Sequence, residues 1–159
     1  MCLSLARGVG RTVPPLIVPD ANLLIYAYDS EAVQHHAARN WLAEVVSSSE
    51  LIGLPWQTVS AFIRITTNSR LTGDRFPTNK AIGIVQQWME LKNVRLLVPG
   101  ERHWSHFQRM LVEGQVRGPN ATDAQLAALT IEYGGMLHTT DRDFARFPGL
   151  RWVNPLLES

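Results

Sequence analysis

Leu16-Ile17-Val18-Pro19-Asp20-Ala21-Asn22-Leu23-Leu24-Ile25-Tyr26-Ala27 is the stretch that decides how this chain folds. Three apolar residues stop at Pro-Asp, and an apolar run with little polar relief follows at once. This is a short buried strand turning directly into a buried helix, with an aspartate at the joint. Pro14-Pro15 keeps any preceding helix out of the strand. The alternation recurs outward from there. A second helix is expected from about Ala32 to Ser48, where Val33, Ala37, Trp41, Leu42 and Val45 recur at helical spacing. Leu51–Leu54 reads as a strand, Pro55 opens a helix over Trp56–Asn68, and Asn68 to Gly73 is a loop rich in terminators. Thr78 is placed to cap a helix running to about Leu91. Val94–Val98 is a strand, Glu101–Val116 a helix, and Thr122–Tyr133 a helix ended by Gly134-Gly135. Met136–His138 reads as a fourth strand and Arg151–Val153 as an edge strand. Short apolar strands alternating with longer helices imply an α/β fold. Its central sheet is short, mainly parallel, built of four to five strands and flanked by helices. One domain over residues 16–157 is expected, behind a loosely ordered N-terminal leader, residues 1–15.

The bulk properties narrow the classes. An apolar fraction of 45% and a charged fraction of 18% over 159 residues are those of a globular chain with room for a core. The lone Cys2 excludes an internal disulfide framework and a cysteine-built metal site, which suits a reducing cytoplasm. No apolar run is long enough to cross a bilayer, so no membrane role is expected. The net charge of +1 carries no nucleic-acid signature of its own.

Chemistry enters with the acids. In an open parallel sheet, ligand sites form beyond the carboxyl ends of the strands. Asp20 and Asp141 each follow a predicted strand, and Asp123 lies in the first turn of a predicted helix. Each has a purely structural alternative. Asp20 can cap its helix, Asp123 can favour the helix dipole beside a Thr122/Gln125 capping box, and Asp141 and Asp143 can be turn residues. As a set they are carboxylates converging on one sheet edge, which is expensive without a cation. Mg²⁺ suits such a set, being a hard ion that takes oxygen ligands, and the chemistry it implies is phosphodiester hydrolysis.

The motifs resemble the PIN-domain ribonucleases, in particular the VapC toxins of VapBC toxin–antitoxin pairs. Pro19-Asp20-Ala21-Asn22-Leu23-Leu24-Ile25-Tyr26-Ala27 looks like the family's opening strand, Asp and helix. Thr122-Asp123-Ala124-Gln125-Leu126-Ala127-Ala128-Leu129 is similar to the segment carrying its third acid. Thr139-Thr140-Asp141-Arg142-Asp143-Phe144 resembles its fourth motif, and Leu150-Arg151-Trp152 through Pro155-Leu156 its usual tail. The resemblance implies a PIN-like fold and an endoribonuclease that cuts tRNA or ribosomal RNA and halts translation and growth. It also implies a VapB-like antitoxin as partner and a homodimer. In that reading Asp20 and Asp123 ligate Mg²⁺ (Mn²⁺ as substitute), Asp141 completes the site directly or through water, and Asn22 and Thr140 orient the carboxylates. One departure stands out: Ala61 occupies the position where the family usually has Glu, and no acid lies between Glu50 and Asp74. Asp143 is the residue expected to compensate. The alternative is a weak or inactive PIN domain that binds RNA and antitoxin without cutting.

Other residues divide between function and packing. Arg64, Arg102, Arg142 and Arg146 suit RNA phosphate, or else solvated faces. Trp56, Trp88, Trp104 and Trp152 suit base stacking, or else core and interface. His103 and His106 lack the further ligands a metal site needs. A haloacid-dehalogenase-like phosphatase would need a second Asp two residues after the first, where this chain has Asn22.

Overall fold

The computed structural model describes residues 14–157. The deciding stretch becomes strand β1 (Ile17–Pro19) followed without a loop by helix α1 (Ala21–Tyr28). Every residue of β1 is buried, as expected of a strand covered on both faces. The chain continues through α2 (His35–Ser47), β2 (Ile52–Pro55), α3 (Trp56–Thr66), α4 (Ser69–Thr72), α5 (Thr78–Glu90) and β3 (Val94–Leu97). Then come α6 (His103–Glu113), a 3-10 turn (Gly118–Asn120), α7 (Ala121–Glu132), β4 (Met136–His138), a second 3-10 turn (Arg142–Arg146) and β5 (Trp152–Val153).

The sheet has five strands in the order β3-β2-β1-β4-β5, and every pairing is parallel. The expectation of a mainly parallel sheet of four to five strands is therefore met at its upper limit. The order reverses between β1 and β4. The chain first adds strands on one side of β1, then returns to build the other side, so this boundary is the topological switch point.

Side-chain alternation along β1 divides the core. Ile17 joins a cluster under α1, α2, α3 and α5, centred on Phe62, Trp88 and Trp41. Val18 joins a cluster under α6 and α7 with Met110, Leu137, Phe144 and Phe147. Phe62 is fully buried and meets Trp88 edge-on at 4.7 Å between ring centroids. Truncating a ring in that position costs about 3–5 kcal/mol.

The structure corrects several boundaries. The second helix starts at His35 rather than Ala32; Val33 is 98% exposed and Ala37 is also exposed, and Ala38, Trp41 and Val45 form its buried face. The loop expected at Asn68–Gly73 contains α4, because the Asn68 carboxamide accepts from the Arg70 amide and caps a short turn. The sixth helix is shorter than Glu101–Val116, and α5 is entered through Pro77 with Thr78 already helical. The seventh begins one residue early, at Ala121. Thr122 Oγ1 donates back to the Pro119 carbonyl at 3.0 Å, so the Thr122/Gln125 capping box does not form. Of the proposed leader, residues 1–13 lie outside the described residues.

Candidate active site

Parallel pairing puts the carboxyl ends of β1 and β4 side by side, with Pro19 in register with His138. Asp20 follows the first and Asp141 the second, so both stand at the switch point. Helix α7 leads back into β4 and so starts at the same edge of the sheet, which brings Asp123 there as well. The result is a cleft of ≈ 410 Å³ whose lining includes Asp20, Asn22, Ala61, Arg64, Asp123 and Asp141.

Asp20 is held from two directions. Its amide donates to the His138 carbonyl at 2.9 Å, and its carboxylate Oδ2 accepts from Thr139 Oγ1 at 2.7 Å. It occupies the N-cap position of α1 but closes no capping bond; the amides of Ala21 and Asn22 still favour its charged form. Burial outweighs all of these and raises its pKa, and the charge of Asp141 adds to the rise. Asp123 has less help. Burial pushes it up to about 6, the charges of Asp141, Asp20 and Asp143 push the same way, and Arg146 opposes them.

The hydroxyl that meets Asp20 belongs to Thr139, not to Thr140 as the sequence suggested. Thr139 has the same parity as buried Leu137 along the extended chain, so it points inward and is itself fully buried. It also accepts from the Asp141 amide at 3.0 Å, bridging the two acid-bearing segments. Thr140 makes no side-chain hydrogen bond among the described residues. Asp143 is exposed, and its amide donates to Asp141 Oδ1 at 2.9 Å, which orients that carboxylate.

Ala61 lies in the cleft wall and brings no oxygen. Arg64 is exposed one turn further along α3, also on the cleft, and Arg142 is exposed beside Asp141. Arg102 is placed elsewhere. It precedes His103, whose ring Nδ1 pairs with Glu132 at the end of α7 opposite Asp123. Nine residues of helix separate those ends by about 14 Å. Trp88 is core, whereas Trp56 and Trp104 are 48% and 63% exposed. Gln57, Thr58 and Thr139 were not singled out from the sequence; for Thr139 the signal was strand parity with Leu137.

A PIN domain family model matches residues 17–150. The chain belongs to the PIN-domain family. Among the relatives of this PIN domain, ribonuclease VapC33 of Mycobacterium tuberculosis is 39% identical over 143 residues, covering 90% of this chain and 100% of the relative. Ribonuclease VapC37 of the same organism is 33% identical over 138 residues, covering 87% and 96%. The fold is shared with solved structures at lower identity. VapBC-1 of nontypeable Haemophilus influenzae matches with a TM-score of 0.64 and 19% identity over 88% of this chain and 98% of that one. The Mycobacterium tuberculosis VapC20 toxin, described as cleaving the sarcin-ricin loop, matches with a TM-score of 0.62 and 17% identity over 85% and 98%.

Proposed function

We propose that this PIN domain is a metal-dependent endoribonuclease, the toxic member of a VapBC-type pair, acting in the cytoplasm on tRNA or ribosomal RNA. The supporting observation is the shared cleft of Asp20, Asp123 and Asp141 at the switch point, where burial, and after it the neighbouring carboxylates, raise Asp123 to about 6. Among the described residues, no three acidic, His or Cys side chains lie close enough to enclose an ion together. Mg²⁺ does not require that, since it is commonly held by one or two carboxylates and keeps several waters. Asp20 and Asp123 would hold Mg²⁺, or Mn²⁺ in its place, and Asp141 would complete the site through water. When bound, the ion lowers the pKa of a water and polarises the phosphate.

The chain's own residues do the rest. Thr139 and the Asp143 amide fix the two carboxylates of Asp20 and Asp141. Asn22 lines the cleft from the first turn of α1, Arg64 lines it from α3, and Arg142 is exposed next to Asp141 in sequence; guanidinium groups of this kind suit phosphate. Arg102 drops out of this reading because of its place at the far end of α7. Several of the similar structures are VapBC complexes, including VapBC2 of Rickettsia felis bound to promoter DNA. A VapB-like antitoxin is therefore the proposed partner, with the toxin acting as a homodimer. No helix among the described residues is long and apolar enough to cross a membrane.

The test is induction of the wild-type chain beside Asp20→Asn and Asp123→Asn variants at equal abundance, with RNA cleavage assayed in Mg²⁺ and in EDTA. Arrest and cleavage by the wild type alone, abolished by EDTA, are expected. Ala61 in the cleft wall favours one other reading, a domain that binds RNA and antitoxin without cutting. Equal behaviour of all three proteins would select it.

A further inference from the structure

Two adjacent side chains in the first turn of α3 reach out of that helix to two other segments. Thr58 Oγ1 donates to the Pro19 carbonyl at 3.1 Å. Gln57 Nε2 donates to the Thr122 carbonyl at 3.0 Å. Pro19 immediately precedes Asp20, and Thr122 immediately precedes Asp123. One helical turn of α3 is thus tied to the backbone just ahead of each of the two acids.

The tie to Thr122 is the side-chain bond by which α3 reaches the start of α7. Its N-cap, Asn120, makes no side-chain capping bond, and the chain arrives through a 3-10 turn entered at Gly118 with φ 57. Asp20 and Asp123 line the same cleft, and like carboxylates held close together need a scaffold that fixes their spacing. Thr58 is 2% exposed and fixed by the core, whereas Gln57 is the α3 side chain that extends to the segment bearing Asp123. One turn further along α3, Ala61 supplies neither an oxygen nor a tie.

We propose that Gln57 is a positioning residue of the acidic site. With Thr58 it sets the separation of Asp20 and Asp123, and thereby the affinity and size selectivity for a divalent cation. This rests on the metal-dependent reading above. Mg²⁺ demands near-octahedral ligands at about 2.0–2.1 Å, whereas Ca²⁺ accepts irregular sets at about 2.3–2.6 Å. Loosening the spacing therefore harms Mg²⁺ more than Ca²⁺.

The experiment is calorimetric titration of the full chain with Mg²⁺, Mn²⁺ and Ca²⁺ separately, alongside metal-free thermal unfolding. The proteins are wild type, Gln57→Met, Gln57→Ala and Asp20→Asn. Gln57→Met keeps the length and removes the donor. Both Gln57 variants are expected to weaken Mg²⁺ binding about tenfold or more, as loss of a ligand-orienting partner does. Ca²⁺ binding falls less, and the unfolding midpoint stays near that of the wild type. Unchanged Mg²⁺ affinity, or equal losses for Mg²⁺ and Ca²⁺, overturns the proposal while leaving the metal site intact. A wild type that binds no divalent cation, or an Asp20→Asn variant that binds as well, overturns the metal reading and the proposal together.

Discussion

On the α2 side of β4, the Trp41 indole N–H closes on His138 Nδ1 at 3.0 Å, and in the same cluster Trp88 Nε1 donates to the Tyr28 hydroxyl at 2.8 Å. On the other side of the same strand end, Asp20 keeps a single hydroxyl donor, and no side chain among the described residues donates to Asp123. Both regions take polar groups out of water. In the first, each group finds a neutral partner, and the burial that keeps His138 uncharged, with its pKa lowered to about 4, is consistent with that. In the second, carboxylates are gathered faster than donors are supplied. Unrelieved repulsion of this kind is where a fold gives up stability for a ligand's sake.

The largest expected effect tests that contrast at Asp20. Asp20→Asn should lower RNA cleavage by more than about a hundredfold, beyond the loss expected for a ligand-orienting partner. The metal-free protein should unfold at the same temperature or higher, because the substitution removes a charge that burial disfavours. A variant that loses cleavage and stability together would make Asp20 a structural residue like those on the α2 side. Next in size is Ala61→Glu, which returns a carboxylate to the cleft wall. More ligand charge should raise Mg²⁺ affinity roughly tenfold, read by calorimetry, at some loss of metal-free stability.

Much of this cleft was legible beforehand because its acids sit at element boundaries, and boundaries are marked by punctuation. Pro19-Asp20 after three apolar residues and Thr139-Thr140-Asp141 after Met136–His138 both announce strand ends. The parallel sheet then brings strand ends together. What was not legible depends on side-chain direction across the sheet. Choosing Thr139 over Thr140 requires knowing which face β4 buries. Dismissing Arg102 requires knowing that α6 begins beside Glu132 rather than beside Asp123. The Gln57–Thr122 and Trp41–His138 contacts join residues far apart in the chain and leave no local pattern. Val33 erred differently: it has helical spacing, but the helix starts two residues later and leaves it in solvent.

A smaller effect is expected on the satisfied side. Trp41→Phe removes the N–H and strands a buried ring nitrogen, which costs about 1–3 kcal/mol. Denaturant unfolding measures that loss. Cleavage per folded molecule should stay within about twofold, since the acids keep their own contacts, and a larger drop would mean that the two sides of β4 act as one unit.

The smallest effect is in pH, where the two regions oppose each other. Asp123 ionises at about 6 in the folded chain but near its ordinary value when unfolded, so between about pH 4 and 6 the native state binds more protons. Its contribution to stability therefore falls as pH rises through that window, and Asp20 acts in the same direction. His138 does the reverse. The unfolded chain takes up its proton below about pH 6.5 while the folded chain resists until about 4, so stability is lost as pH falls. In EDTA the wild-type unfolding midpoint should consequently change little across this range. Asp123→Asn deletes one of the opposing parts, and its midpoint should climb more steeply from pH 4 to 6. Adding Mg²⁺ to the wild type should do the same, because the ion favours the ionised carboxylates and its stabilisation grows as they lose their protons. Parallel midpoint curves for wild type and Asp123→Asn in EDTA would mean that burial and neighbouring carboxylates do not raise Asp123, and the contrast between the two sides of β4 would lose its electrostatic basis.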